Sequence, residues 1–343
     1  MSIRRAHARV PILCALLGAL ISLALPQATF AAHSHAHHDA TVDAPIGVMG
    51  DHLHPQGGVM LSYRYMRMSM NGNRDGTSRQ SENSVHRSFP IAPLEMDMEA
   101  HMFSVMWAPH EDVTLAAMLP FKRLDMKHRT RGGRSFTTRS HGIGDTKFTA
   151  LVRLFDRGEH HLHLNLGVSA PTGSISAKDD TPMGRSRLPY PMQLGSGTWD
   201  LLPGATYTGA WEKITWGSQI LGTLRTGINR KGYRLGHRFG TTGWLGLALA
   251  PWVSTSVRLA YQDWRGIRGD DDDLNRNQVP TADPDLRAGR RLDLWIGLDL
   301  KATNGALRGH RLALEVGRPV YQKLDGPQLE TDWMITVGWQ KIF

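Results

Sequence analysis

Methionine and histidine are the residues in this chain whose type and spacing point to chemistry. Ten of the fifteen methionines fall between Met60 and Met126. If the segments that carry them are strands, successive side chains point to opposite faces. With Val59, Leu61, Tyr63 and Tyr65 on one face, Met60, Met66, Met68 and Met70 share the other. Phe103, Val105 and Trp107 oppose Met96, Met98, Met102 and Met106 in the same way, and Val113, Leu115, Leu119 and Phe121 oppose Met118 and Met126. Same-face neighbours on a strand are about 6.6 Å apart, near enough for flexible thioethers to converge. Thioether sulfur is a soft ligand that selects Cu(I), so a copper path is one expectation. Adaptable filling of an irregular interior is the other, and the pattern leaves both open.

Histidine is concentrated earlier, at His33, His35, His37 and His38, with His52 and His54 following. Imidazole binds Cu(II), Ni(II) and Zn(II), so a mobile segment over 32–57 could capture metal in the periplasm. A solvated tail with no specific metal is the equal alternative. The sequence requires no cofactor, and copper would enter as ligand or substrate. The acidic run at Asp270, Asp271, Asp272 and Asp273 reads as a solvated loop, although it could hold a divalent cation. For hydrolysis the nearest pair is Ser140 and His141, but adjacent strand residues face opposite ways. No G-x-S-x-G and no phosphate loop is present, so catalysis is not expected.

The elements that must position these residues are strands of an unusual length. From Gly58 onward, segments of ten to fourteen residues alternate apolar and polar side chains, separated in turn by short turns and long polar loops. Alternation of this kind suits an antiparallel transmembrane β-barrel, in which one side chain meets lipid and the next a wet lumen while every backbone group is paired. Twelve strands are expected, near 58–70, 94–107, 113–126, 141–155, 160–171, 198–211, 214–228, 238–250, 253–265, 289–301, 310–321 and 332–343. The last is the clearest: Trp333, Ile335, Val337, Trp339 and Phe343 share one face. A secreted β-sandwich also alternates, but its strands are usually nearer five or six residues.

The short turns at 156–159 and 212–213 are expected on the periplasmic side, and the loops at 71–93, 172–197, 266–288 and 322–331 outside. Trp107, Trp199, Trp211, Trp216, Trp333 and Trp339 stand near strand ends, where aromatic girdles form. Strand parity also turns Arg64, Lys122, Asp145, Lys147, Arg153, Asp200, Arg225, Arg258, Asp293, Asp299 and Glu315 toward the lumen. Mixed charge of this kind orients water and solutes without strongly selecting one sign. Glu95, Asp97 and Glu99 take the outward parity, so that end of the strand must project above the hydrocarbon.

Arg4, Arg5 and Arg9, then an apolar run from Val10 to Leu25, Pro26 and small residues around Ala31 form a secretory leader, expected to be cleaved after Ala31. The expected organisation is therefore a signal peptide over 1–31, a histidine-rich periplasmic segment over 32–57 and a barrel over 58–343. The single cysteine, Cys14, lies in the leader, so no disulfide framework or thiolate metal site is expected beyond it. The formal charge of +9 falls to +6 without the three leader arginines. Basic residues are scattered and an exported chain meets little nucleic acid, so lipopolysaccharide phosphates are the more fitting partner.

Three stretches, Gly142-Ile-Gly-Asp-Thr-Lys-Phe-Thr-Ala-Leu-Val-Arg-Leu-Phe155, Gly167-Val-Ser-Ala-Pro-Thr-Gly173 and Gly195-Ser-Gly-Thr-Trp-Asp-Leu-Leu-Pro-Gly204, resemble the outer-membrane proteins associated with the phenol meta-degradation pathway. Ala44-Pro-Ile-Gly-Val-Met-Gly-Asp-His52 and Tyr63-Arg-Tyr-Met-Arg-Met68 further resemble a His- and Met-bearing, transporter-like branch. The resemblance implies a barrel and passage of small molecules, but brings no established binding or catalytic residues. The resulting expectation is a non-enzymatic outer-membrane channel or transporter for a small solute or metal ion, with copper handling as its specialisation. Alternatives are passive uptake of apolar or aromatic compounds, a plugged structural barrel and a lipid-modifying enzyme. Lipids, lipopolysaccharide and the barrel-assembly machinery would be its partners.

Overall fold

The computed structural model describes residues 43–343. The leader and His33, His35, His37 and His38 lie outside the described residues. The first half of the chain builds β1 (Val59–Gly76), β2 (Ser78–Gln80), α1 (Glu82–Ser88), β3 (Ile91–His110), β4 (Val113–Thr130), β5 (Ser135–Ile143), β6 (Thr146–Arg157) and β7 (His160–Ala170). A small hairpin follows, β8 (Lys178–Thr181) and β9 (Gly184–Arg187). The wall is completed by β10 (Asp200–Trp211), β11 (Ile214–Arg225), β12 (Arg238–Ala250), β13 (Val253–Trp264), β14 (Gly289–Lys301) and β15 (His310–Ile342).

Each of these wall strands pairs antiparallel with its neighbours, and β15 pairs with β1 to close the ring. Closure pairs both edges, which hydrocarbon demands because it offers unpaired N–H and C=O groups no partner. Eleven paired strands complete the ring: β1, β3, β4, β6, β7 and β10 to β15. The last of them crosses twice. Fully extended, its 33 residues would span on the order of 100 Å, far beyond a hydrocarbon core of about 30 Å. Its first arm, from Arg311 to Leu324, pairs with β14, and its second, from Leu324 to Ile342, pairs with β1. Side-chain and backbone bonds between Gln322 and Thr331 tie the arms together. Twelve crossings result, the even number that an all-antiparallel ring requires.

Alternation between two solvents explains the wall. Leu245 is 54 % exposed and Ile296 61 %, whereas Trp244 and Trp295, one residue away on the lumen face, are 4 % and 6 % exposed. Glycine makes room for both indoles: a Cβ at Gly217 would lie 2.2 Å from Trp244, and one at Gly317 2.3 Å from Trp295. Trp107, Trp199, Trp211 and Trp333 are exposed near strand ends, with Trp216 and Trp339 half-buried there.

One side of the barrel stands taller than the periodicity suggests. β1, β3 and β4 hold 18, 20 and 18 residues, against 12 or 13 in each of β10 to β14. Their upper outer face carries the ion pairs Arg67–Asp97 at 3.2 Å and Lys127–Glu95 at 2.9 Å, as a surface above the hydrocarbon permits. The 71–93 region is accordingly not all loop: it holds the end of β1, β2 and α1, whose first turn is capped by the Ser81 hydroxyl. The 322–331 region is likewise strand, because the tall end of β1 offers it backbone partners at Asn73, Arg74 and Gly76.

The stave expected over 141–155 is broken into β5 and β6, with Gly144 bonded to Pro120 between them. Gly142 has a φ of +147°, and a Cβ on Gly144 would fall 2.8 Å from the Lys122 side chain. Close backbone approach is what these two glycines permit.

Candidate functional site

The lumen is occupied from the short-turn end by the chain's own N-terminal segment. From Asp43 onward, the stretch expected as a periplasmic tail folds inside the barrel, with Ile46 and Val48 buried and Val48 packed near Trp244. It has no period of its own and is held largely through its backbone. Arg311 donates to the Ala44 carbonyl at 2.7 Å, and the Gly47 N–H donates to Glu315 Oε2 at 2.6 Å. The Gly50 carbonyl accepts from His163 Nε2 and Asn165 Nδ2, both at 2.9 Å, while Gln219 Nε2 reaches the Met49 carbonyl at 2.9 Å. Thr206 joins Asn165 and Gln219 behind this seat.

Two glycines of this plug, Gly47 and Gly50, are sterically required. A Cβ on Gly47 would lie 2.4 Å from Arg258, and Gly50 takes a φ of +63° with Asn165 2.9 Å from where a Cβ would be. His52 and His54, expected on a mobile tail, belong to this plug instead, ring centroids 4.8 Å apart. Desolvation alone would lower the His52 pKa, but the Asp51 carboxylate at 3.0 Å outweighs it and holds it above the ordinary value. Burial, with His52 alongside, pushes His54 down to about 4, so it is neutral at pH 7.

Four lumen arginines meet a carboxylate. Arg258 grips Glu315 through two bonds of 2.9 and 3.1 Å, Arg291 meets Asp293 at 2.8 Å, Arg311 meets Asp299 and Arg225 meets Asp200. Arg64 is buried on the lumen face beside the plug. Lys122 donates to the Leu194 carbonyl at 2.9 Å, and Asp145 accepts from the backbone N–H groups of Gly173 and Ser196. Lys147 faces the lumen and is exposed there. Arg153 is the exception among the expected lumen charges. A bulge between Arg153 and Phe155 ends the regular register at the short-turn rim, where Arg153 pairs with Asp112 and Asp156. Arg238, Arg291, Arg311 and the uncharged seat of the plug were not singled out from sequence. Strand parity points all of them inward, but charge is the only signal that separates a working lumen residue from a filler.

All ten methionines avoid the lipid face, but they do not form one patch. Met60 and Met106 are register partners that pack with Leu151 and Leu53 of the plug. Met70, Met96 and Met126 form one cross-strand row, with Met98 beside them, against Leu188, Met192 and Leu194 of the 172–197 segment. Met68 pairs with Met98 and Met334 and packs with Ala260 and Trp295. Met66 lies between Ala100 and Thr336, Met102 between Arg64 and Pro120, and Met118 between Ser104 and Lys147. The Arg291 guanidinium donates to Met334 Sδ at 3.5 Å and lies 4.0 Å from Met68 Sδ. A fixed cation on these two sulfurs opposes a second one. Among the described residues no three His, Cys, Asp or Glu side chains converge in metal-ligating geometry. Packing against loop and plug therefore accounts for most of the stripe.

The long loops fold over the opposite mouth. Ser140 Oγ donates to the Met192 carbonyl at 2.6 Å while His141 is exposed, so the two do not cooperate. Three of the four acids in the acidic run pair with protein cations: Asp271 with Arg187, Asp273 with Lys231 at 2.6 Å and Asp270 with Arg276 at 3.8 Å.

A family profile described as "Putative MetA-pathway of phenol degradation" matches residues 71–314. Among solved structures, the COG4313 outer membrane channel from Pseudomonas putida F1 is similar at a TM-score of 0.61 and 13 % identity, over 88 % of this chain and 100 % of that one. A Pseudomonas aeruginosa FadL homologue is similar at 0.42 and 10 % identity, over 84 % and 89 %. No curated protein matches. The fold is thus that of the COG4313 outer membrane channel, a closed antiparallel barrel.

Proposed function

Because the chain belongs to the family described as "Putative MetA-pathway of phenol degradation", we propose that it is an outer-membrane channel for small solutes with an aromatic or apolar body. One observation carries this reading: the lumen is closed by a short peptide seated on polar side chains, not by a continuous core. A channel needs a wall whose inner face is wet and whose obstruction can leave. The plug's bonds to Glu315, Arg311, His163, Asn165 and Gln219 are all of a kind that water can replace. Trp244 is buried against Ala44 and Val48 of the plug, so departure of the plug would uncover apolar surface between charges, which suits an aromatic body.

Lipids and lipopolysaccharide would surround the wall, with the paired charges above the hydrocarbon meeting headgroups, and the barrel-assembly machinery would insert it. A non-enzymatic role follows from this reading. A soft-metal role would rest on the Met70, Met96 and Met126 row alone, since that row lacks the guanidinium that sits on Met68 and Met334. Proteoliposome swelling tests the main reading. Small phenols and sugars of similar size should enter at different rates, the aromatic faster. Vesicles as impermeable as empty ones, with the protein folded, would overturn it.

A further inference from the structure

Between the plug and the 172–197 segment the lumen carries positive charge that no acid neutralises. Lys147 on β6, Ser169 on β7, Asp200 on β10 and Arg225 on β11 are successive register partners, one lateral row of the inner wall. Thr223, two residues below Arg225, pairs with Arg238 on β12, and Lys122 approaches from β4. Lys122, Lys147, Arg225 and Arg238 thus gather at one level of the inner wall. Two acids lie among these four cations, Asp145 and Asp200, and both are already engaged. Asp145 accepts from Gly173 at 3.0 Å and Ser196 at 2.7 Å; Asp200 accepts from Thr198 at 2.7 Å and Ser196 at 3.2 Å, and pairs with Arg225.

Lys147 and Arg238 differ from the other lumen cations in being both unpaired and exposed; Arg64 also lacks an ion pair among the described residues but is buried. Arg258, Arg291 and Arg311 are each buried on a carboxylate. Among the described residues, Lys147 and Arg238 form no ion pair, and both are exposed although Phe148 and Phe239 beside them take the lipid face. Gln262, also inward-facing and exposed, stands near Arg238 across Gly240. Water therefore reaches this level of the lumen. Gln219, which seats the plug, is six residues below Arg225 on the same face of β11, or about 20 Å along the strand. Leu194, whose carbonyl takes the Lys122 ammonium, marks the upper limit. Leu202, half-buried and two residues from Asp200, takes the same inward parity and offers apolar surface beside the charge, and Met118, the register partner of Lys147, is buried on that face.

We propose that this chamber binds a small organic anion, a carboxylate whose charge is held by Lys147 and Arg238 and whose apolar body lies toward Met118 and Leu202. The inference deepens the channel reading and rests on it for the route by which the solute arrives. Unpaired cations in a narrow, low-dielectric passage attract a carboxylate more strongly than the same groups on an open surface. Their exposed side chains support no packing, so their removal leaves the barrel intact.

The test uses full-length protein folded in detergent at low salt, with benzoate, its neutral counterpart benzamide, and inorganic phosphate as probes in equilibrium dialysis. Parent protein should bind benzoate, and binding should weaken by about tenfold or more in Lys147→Gln/Arg238→Gln, which should retain heat-modifiable mobility. Benzamide should bind weakly and equally to both. Equal affinity of the parent for benzoate and benzamide, no binding of benzoate, or an unchanged double variant would overturn the proposal. Phosphate bound as tightly as benzoate, with the same loss in the variant, would overturn the organic class. Swelling assays separate this from the channel reading. Benzoate binding lost in the variant, with no solute entering parent vesicles, would uphold the site and reject the channel.

Discussion

Gly47→Val puts the plug to a direct steric and energetic test. Its Cβ would meet Arg258 Nη2 at 2.4 Å and Glu315 Oε2 at 2.5 Å, so the peptide cannot keep its seat without displacing a buried ion pair. Moving the peptide costs the 2.6 Å bond from the Gly47 N–H to the Glu315 carboxylate, and a hydrogen bond to a charged group is worth about 1.5–3 kcal/mol. The ratio of unseated to seated plug should rise by roughly 10- to 150-fold. Barrel closure depends on backbone ladders that this residue does not join, so assembly should be normal. In planar bilayers the variant should show longer or more frequent open events than the parent, and fewer than a chain lacking 43–57. A folded Gly47→Val variant that conducts like the parent, while the deletion conducts freely, would refute the steric reasoning at Glu315. A deletion that stays closed would refute the plug as the barrier.

Three other outcomes follow from the same wall. A cysteine at exposed Arg185, in the β8–β9 hairpin, should react with impermeant maleimide on intact cells, whereas one at Lys213 in a short turn should not; the reverse pattern would invert the orientation. Deleting Phe343 removes its backbone bond to the Val59 carbonyl at the seam between β15 and β1 and should lower the yield of heat-modifiable barrel; an unchanged yield would show that the seam closes without it. Replacing Met70, Met96 and Met126 with Leu keeps volume at a packing cost of roughly under 1.5 kcal/mol each, so the barrel should fold. If those sulfurs only pack, Cu(I) binding of the folded protein should match the parent, and a loss confined to copper would revive the soft-metal role.

What was legible in the sequence follows from which interactions repeat. A barrel wall separates lipid from water at every second residue, so Leu294, Ile296 and Leu298 against Asp293, Trp295 and Asp299 announce their faces without any structure. For the same reason the two arms of β15 read as separate strands, each with its own alternating face. The plug offered no such signal. Ala44 to His52 has no period, and its seat is built from backbone groups meeting Glu315, Arg311, His163, Asn165 and Gln219, residues that are distant in sequence and individually unremarkable in type. Gly47 and Gly50 permit the close approach, but a lone glycine in a sequence has many causes.

The methionines show the converse case, a strong pattern with more than one cause. Parity correctly placed Met70, Met96 and Met126 inward, yet parity cannot tell an aqueous wall from one covered by a loop. That distinction was made by Leu188, Met192 and Leu194, which lie in a segment whose polar composition read as solvent-exposed. The segment folds inward because Asp145 and Lys122 satisfy its backbone there, at Gly173, Ser196 and Leu194. Two charges that parity had assigned to a wet lumen thus have a loop as their partner. The exposed cations left without one, Lys147 and Arg238, could be recognised only after every neighbouring acid had been accounted for.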